Sequence, residues 1–125
     1  MNNIIYSKIY SKNIIFLKDS YISDFLKIKF PGIDITKSIP KVKKDLEDLV
    51  LNKNYVIYIA KQNTNAIGFI IGKVSSNKFF KKEVVISSYY KQKGLYSLLF
   101  KKISNDYNIF KDFSYKKPFK KEFSK

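Results

Sequence analysis

The sequence predicts an α+β domain: a mixed, mainly antiparallel sheet with flanking helices, in the order β-α-α-β-β-β-α-β. Three observations predict it. Apolar residues recur at helical spacing in three separate stretches. Between the second and third of these, β-branched and aromatic runs follow one another across polar turns, as strands joined in hairpins do. The chain has 125 residues, 45% of them hydrophobic, and shows no repeat and no long linker, so one core is expected.

Ile4 to Tyr10 is rich in β-branched and aromatic residues and reads as the first strand. Asp19-Ser20 is expected to cap a first helix running to about Phe30, with Ile22, Phe25 and Leu26 on one side. Pro31-Gly32 ends it. Ser38 precedes Ile39-Pro40, and proline suits the first turn of a second helix because its missing N–H costs nothing there. Val42, Leu46, Leu49 and Val50 form that helix's apolar stripe, and Asn52 to Asn54 closes it.

Tyr55 to Ala60 is a second strand, Lys61 to Asn65 a polar turn, and Ala66 to Gly72 a third strand. Gly68 within it signals a bulge or a close approach of other atoms to the backbone. Val74 to Lys82 reads as a loop and strand entry, and Glu83 to Ser87 as the next strand. A third helix is expected from about Gly94, buried through Leu95, Leu98, Leu99 and Ile103, with Lys101 and Lys102 in its last turn. Tyr107 to Tyr115 is expected to add a strand. The domain would then span residues 1–115, with 116–125 as a basic tail.

The net charge is +15, and all 25 basic residues are lysine. Nine lysines and six acidic residues precede Leu49, whereas sixteen lysines face four acidic residues after it. The positive field therefore belongs to the second half and suits an anionic ligand there, a solvated lysine face being the plainer reading. The abundance of Lys, Asn, Ile, Tyr and Phe also matches the codon bias of an AT-rich genome. With no cysteine or histidine, the commonest metal ligands and the commonest general base are absent, and no metal site is expected. No apolar run approaches the ~18 residues of a membrane span. The start of the chain lacks a secretory apolar core. A cytoplasmic protein with no membrane partner is the expectation.

The stretch from Glu83 to Ile103 is the most informative. A buried strand passes through a basic turn ending at Gly94 into a helix N-terminus, where unpaired N–H groups and the helix dipole favour a phosphate.

This stretch resembles the cofactor motif of the GNAT (Gcn5-related N-acetyltransferase) family: a Gln or Arg, two residues, a Gly, one residue, then Gly or Ala. The matching run is Lys91-Gln92-Lys93-Gly94-Leu95-Tyr96, preceded by Ile86-Ser87-Ser88-Tyr89-Tyr90. Upstream, Ala66-Ile67-Gly68-Phe69-Ile70 is similar to the family's hairpin. Lys91 stands where the family has Gln or Arg, and Tyr96 where it has a second small residue. The resemblance covers roughly Ile4 to Ile103.

The resemblance implies a GNAT-like (acyl-CoA N-acyltransferase) fold and an acetyl-CoA-dependent N-acetyltransferase, with acetyl-CoA as cosubstrate and an unidentified primary amine, on a small molecule or a protein, as acceptor. Gln92, Lys93, Gly94, Leu95, Tyr96 and Ser97 would present N–H groups to the pyrophosphate, with Lys91 and Lys93 adding charge. The Tyr96 ring would narrow that site. Val85, Ile86 and Ser87 would pair with the pantetheine arm, a backbone N–H near Ile86 polarising the thioester carbonyl. Glu83 is the expected general base, and Tyr89, Tyr90, Tyr107 and Tyr115 are candidates for the acid. The plainer reading of Glu83 is a strand-end carboxylate offsetting Lys81 and Lys82. The family continues past the third helix with more elements than the residues after Ile103 supply, and a sheet edge left open would invite a homodimer.

Two other functions remain open. One is a non-enzymatic nucleic-acid-binding module, in which lysines interleave with Phe79, Phe80, Tyr89, Tyr90, Phe110, Phe113 and Phe119 as stacking surfaces. The other is an inactive GNAT-like interaction protein.

Overall fold

A computed structural model describes residues 3–107. The expected strand from Tyr107 to Tyr115, the boundary at 115 and the basic tail lie outside these residues, except that Tyr107 is helical.

Strands β1 (Ile4–Ile9), β2 (Val56–Gln62), β3 (Asn65–Ser75) and β4 (Lys78–Ile86) form a sheet in that order, antiparallel throughout. Helices α1 (Asp19–Lys29) and α2 (Ile39–Lys53) cover one face. A one-turn α3 (Ser88–Lys91) leads to α4 (Leu95–Tyr107), which covers the other. Val56 to Ala60 of β2 is buried without a break, as a strand covered on both faces must be.

The α1 core is built from Ile22, Phe25 and Leu26 against Ile57, Ile59, Phe69 and Val85, with the Phe25 and Phe69 rings edge to face at 5.2 Å. Each fully buried side chain of this size contributes about 1.5–3 kcal/mol. Lys18, not Asp19 or Ser20, is the N-cap of α1. It makes no side-chain cap, and Asp19 occupies the first turn, where its charge meets the dipole and the Lys43 ammonium at 2.8 Å. Asn54 closes α2 in the left-handed conformation, which asparagine tolerates. A 3-10 turn at Ser11–Phe16, absent from the sequence reading, is held to β1 by Asn13, whose amide donates to the Lys8 carbonyl at 2.8 Å.

The expected loop from Val74 to Lys82 is instead a hairpin. Ser76 and Asn77 both have positive φ, the pattern of the two-residue type I′ turn, so β3 and β4 pair almost to the tip. Without a glycine in the turn, the sequence carried no strong signal for it.

Two bulges set which side chains face which helix. Ala60 pairs with Gly68 and Lys61 with Ala66, which leaves Ile67 as the extra residue. The Asp24 carboxylate of α1 accepts the Ala66 N–H at 2.9 Å beside it. As a result Ile67 and Gly68 both turn toward α4. A Cβ on Gly68 would lie 2.9 Å from Leu95, so this glycine permits close helix–sheet packing. The second bulge, at Lys82, bears on the functional site.

On the α4 face, Leu95, Leu99 and Ile103 are fully buried. Leu98, expected in that stripe, is exposed, because 3.6-residue periodicity centres the face on the i, i+4, i+8 row. Lys101 and Lys102 are mid-helix, since α4 continues to Tyr107. The buried Tyr58 donates its hydroxyl to Asp106, tying the end of α4 to β2. Burial first, and the Asp106 bond second, push the phenol above the ordinary tyrosine range, so it remains a donor at physiological pH. Tyr58→Phe is expected to lower stability by about 2 kcal/mol, the value of a hydrogen bond to a charged group, read as a lower denaturant midpoint at unchanged slope.

Candidate functional site

Among the described residues, nothing pairs with the outer edge of β4. The Ser87 N–H donates to the Ile67 carbonyl at 2.9 Å, toward β3. In an antiparallel ladder such groups alternate in direction, so Val85 and Glu83 also turn their backbone groups inward. Val84 and Ile86 turn theirs to the open edge. Their N–H groups and carbonyls line a strip that an extended ligand can pair with as an added strand.

A cleft of about 180 Å3 lies along this strip, lined by Ile28, Lys29, Glu83, Val84, Val85, Ile86 and Lys91. The structure thus gathers four of the sequence-predicted site residues, Glu83, Val85, Ile86 and Lys91, around one space. Ser87 caps the short α3, and its carbonyl accepts the N–H groups of Tyr90 and Lys91 at 2.9 Å each.

The bulge at Lys82 decides where Glu83 points. Ile71 pairs with Glu83 and Gly72 with Lys81, which leaves Lys82 as the extra residue. Phe79 and Lys81 face α4, where the Lys81 ammonium donates to the Tyr96 hydroxyl at 2.7 Å. Strict alternation would send Glu83 the same way. The inserted residue sends it to the α1 face, where its carboxylate meets the Lys29 ammonium at 2.7 Å. Glu83 therefore pairs with α1 rather than offsetting Lys81 and Lys82. Lys29 and Ile28 were missed by sequence reasoning. Nothing local marks the last turn of α1 as a neighbour of β4.

The basic turn is tighter than expected. The N–H groups of Lys93 and Gly94 bond the carbonyls of Tyr90 at 3.1 Å and Lys91 at 3.4 Å, and that of Gln92 also turns to Tyr90. The N–H groups pointing out of the helix end are those of its first turn, Leu95, Tyr96 and Ser97. Gly94 has φ +80°, a conformation that side-chain-bearing residues rarely adopt, and a Cβ built there meets nothing within 4 Å. That clearance holds among the described residues. Leu95 fixes the end against the sheet through Gly68. The Tyr96 ring stacks on Phe100, and its hydroxyl accepts from the Lys81 ammonium, which also lies over the ring. Lys91 and Lys93 are exposed, and the Lys93 ammonium lies over the Tyr89 ring at 5.0 Å.

Tyr90 donates its hydroxyl to Gln62 at the end of β2 and packs edge to face with Tyr89. Tyr89 itself is 62% exposed. Tyr107 lies over Lys8 of β1, on the far side of the sheet from β4, and Tyr115 is outside the described residues. No group of three or more His, Cys, Asp or Glu side chains suited to a metal occurs among the described residues. No helix among them is long and apolar enough to cross a membrane.

The sequence matches no protein-family model and no curated protein. Solved structures do match the fold. An aminoglycoside acetyltransferase from an uncultured soil metagenomic sample, in complex with sisomicin, superposes with a TM-score of 0.62 at 13% identity, over 98% of this chain and 86% of that one. A predicted acetyltransferase from Clostridium acetobutylicum with acetyl-CoA gives 0.55 at 17% identity, over 98% and 89%. An aminoglycoside 6′-N-acetyltransferase from Acinetobacter baumannii gives 0.56 at 14% identity, over 89% and 76%. The antiparallel sheet and its flanking helices agree with these likenesses, and the chain has the fold of the GNAT acetyltransferases.

Proposed function

We propose that this protein is an acetyl-CoA-dependent N-acetyltransferase acting on a primary amine. One observation carries the reading. The open edge of β4, with the Val84 and Ile86 backbone turned outward, runs along a cleft that reaches Lys91 of α3, the turn that leads into α4. A CoA thioester has matching parts: an amide-containing arm that can pair with a strand edge, and a pyrophosphate suited to helix-end N–H groups. The Gly94 turn, where a Cβ would meet no described atom within 4 Å, and the nearby Lys91 and Lys93 fit the anionic end. The acetyl-CoA in the Clostridium acetobutylicum neighbour supports the choice of ligand.

The chemistry then falls to few groups. Glu83 accepts a proton from the acceptor ammonium, and the freed amine attacks the thioester carbonyl. An outward N–H of β4 stabilises the developing oxyanion. Tyr89, exposed, is better placed than the Gln62-bound Tyr90 to return a proton to the departing thiolate. The Lys91 ammonium at the cleft favours an acceptor that carries an anionic group beside its amine. A polycation such as the sisomicin held by the metagenomic neighbour would be repelled.

Thermal melting with CoA and with acetyl-CoA is the direct test. A ligand at ~100 times its dissociation constant adds about 2.7 kcal/mol, a rise of several degrees for a domain of this size. An unchanged melt at millimolar ligand would remove the reading. Steeply salt-dependent binding of nucleic acid would then favour the lysine-rich binding module.

A further inference from the structure

We propose that Lys29 is itself an acetyl acceptor, so that the protein modifies its own cleft. The inference rests on the reading of the β4 cleft as a CoA thioester site. Lys29 ends α1, and its ammonium lies 2.7 Å from the Glu83 carboxylate. Both side chains line the same cleft as Val84 and Ile86, whose backbone groups face the open edge. The Lys29 and Glu83 side chains are 35% and 31% exposed, so the pair lies at the mouth of the cleft, open to solvent. Two other lysine–carboxylate pairs lack this setting. Lys41 with Asp45 is solvated on α2, and Lys43 with Asp19 lies at the opposite end of α1. Unlike Lys41 and Lys43, Lys29 has its carboxylate within proton-transfer distance inside the cleft.

The step balances. The Lys29 ammonium gives a proton to Glu83, and its nitrogen lone pair forms a bond to the thioester carbonyl carbon. The carbon–sulfur bond breaks, and its electron pair leaves on the CoA sulfur. A second proton leaves the nitrogen as the amide forms. One of the two protons ends on the thiol, the other in solvent. The products are N-acetyl-Lys29 and CoA. The change removes a positive charge and dissolves the ion pair. Glu83 then faces the cleft without its lysine partner and can serve an incoming amine. Unmodified chain would therefore show a lag in transfer to an external amine.

The full chain is incubated with acetyl-CoA and followed by intact mass and peptide mapping. One acetyl group is expected at Lys29 ahead of every other lysine, and excess free CoA should suppress that adduct while sparing slow surface acetylation. Lys29→Arg should lose the early adduct. Glu83→Gln should slow acetylation of Lys29 about a hundredfold, the contribution of a general base. If CoA stabilises the protein but acetyl groups spread over the lysines without preference, or free CoA fails to suppress the Lys29 adduct, the proposal is overturned and the coenzyme reading stands. If CoA fails to stabilise the unmodified protein, the coenzyme reading falls and this proposal with it.

Discussion

Gly94→Glu is expected to lower CoA affinity by at least about a hundredfold, which corresponds to ~2.7 kcal/mol. Two effects act together. Gly94 sits at φ +80°, where an L side chain is strained by roughly 1–2 kcal/mol. A carboxylate at this point would also stand where the pyrophosphate meets the first turn of α4, and like charges repel. Packing against the described residues plays no part, since a Cβ at this position meets none of their atoms within 4 Å. The fold should therefore survive, helped by an acid at a helix N-terminus. Gly94→Asn separates the two effects, because asparagine tolerates positive φ and carries no charge. It should bind CoA far better than the glutamate variant. Isothermal titration of both variants checks this. Wild-type affinity in Gly94→Glu would place the pyrophosphate elsewhere.

Gly72→Val is expected to cost the fold about 3 kcal/mol or more, a large share of the roughly 5–15 kcal/mol that holds a domain together. Gly72 lies at the Lys82 bulge, and the fully buried Phe79 ring rests on it. A Cβ would overlap the ring and come within 2.7 Å of the Phe80 carbonyl oxygen. The ring cannot swing aside easily, because the Phe100 ring packs edge to face against it at 6.3 Å. The backbone oxygen cannot move without loosening the ladder beside the bulge. Combining Gly72→Ala with Phe79→Leu should recover part of the loss shown by Gly72→Ala alone, a coupling measurable in a double-mutant cycle. Additive losses would mean that the ring is not the obstacle. The same bulge aims Glu83, so variants here that still fold should also impair any reaction needing that carboxylate.

Most elements were legible because their signals are local. The α2 stripe of Val42, Leu46, Leu49 and Val50 and the Asn54 terminus depend on residues within a few positions of one another. So do the β2 and β3 runs and the positive-φ glycine before α4. Where local signals were weak, the reading slipped. Ser76-Asn77 lacks the glycine that advertises a two-residue turn, so a continuous hairpin read as a loop. The short α3 turn contracted the basic loop and turned the N–H groups of Lys93 and Gly94 back onto the chain.

The candidate site divides in the same way. The sequence by itself determined that the strand from Glu83, the turn to Gly94 and the helix after it are contiguous and basic, and so placed Glu83, Ile86, Lys91 and Gly94 in one neighbourhood. Only the tertiary structure decided which way they face. One extra residue at Lys82 turns Glu83 to the opposite face of the sheet from Lys81. The end of α1 then brings Lys29 onto it. A side chain's face follows from the pairing register of its strand, and its partner from the packing of a helix distant in sequence. Neither is written in the residues beside it.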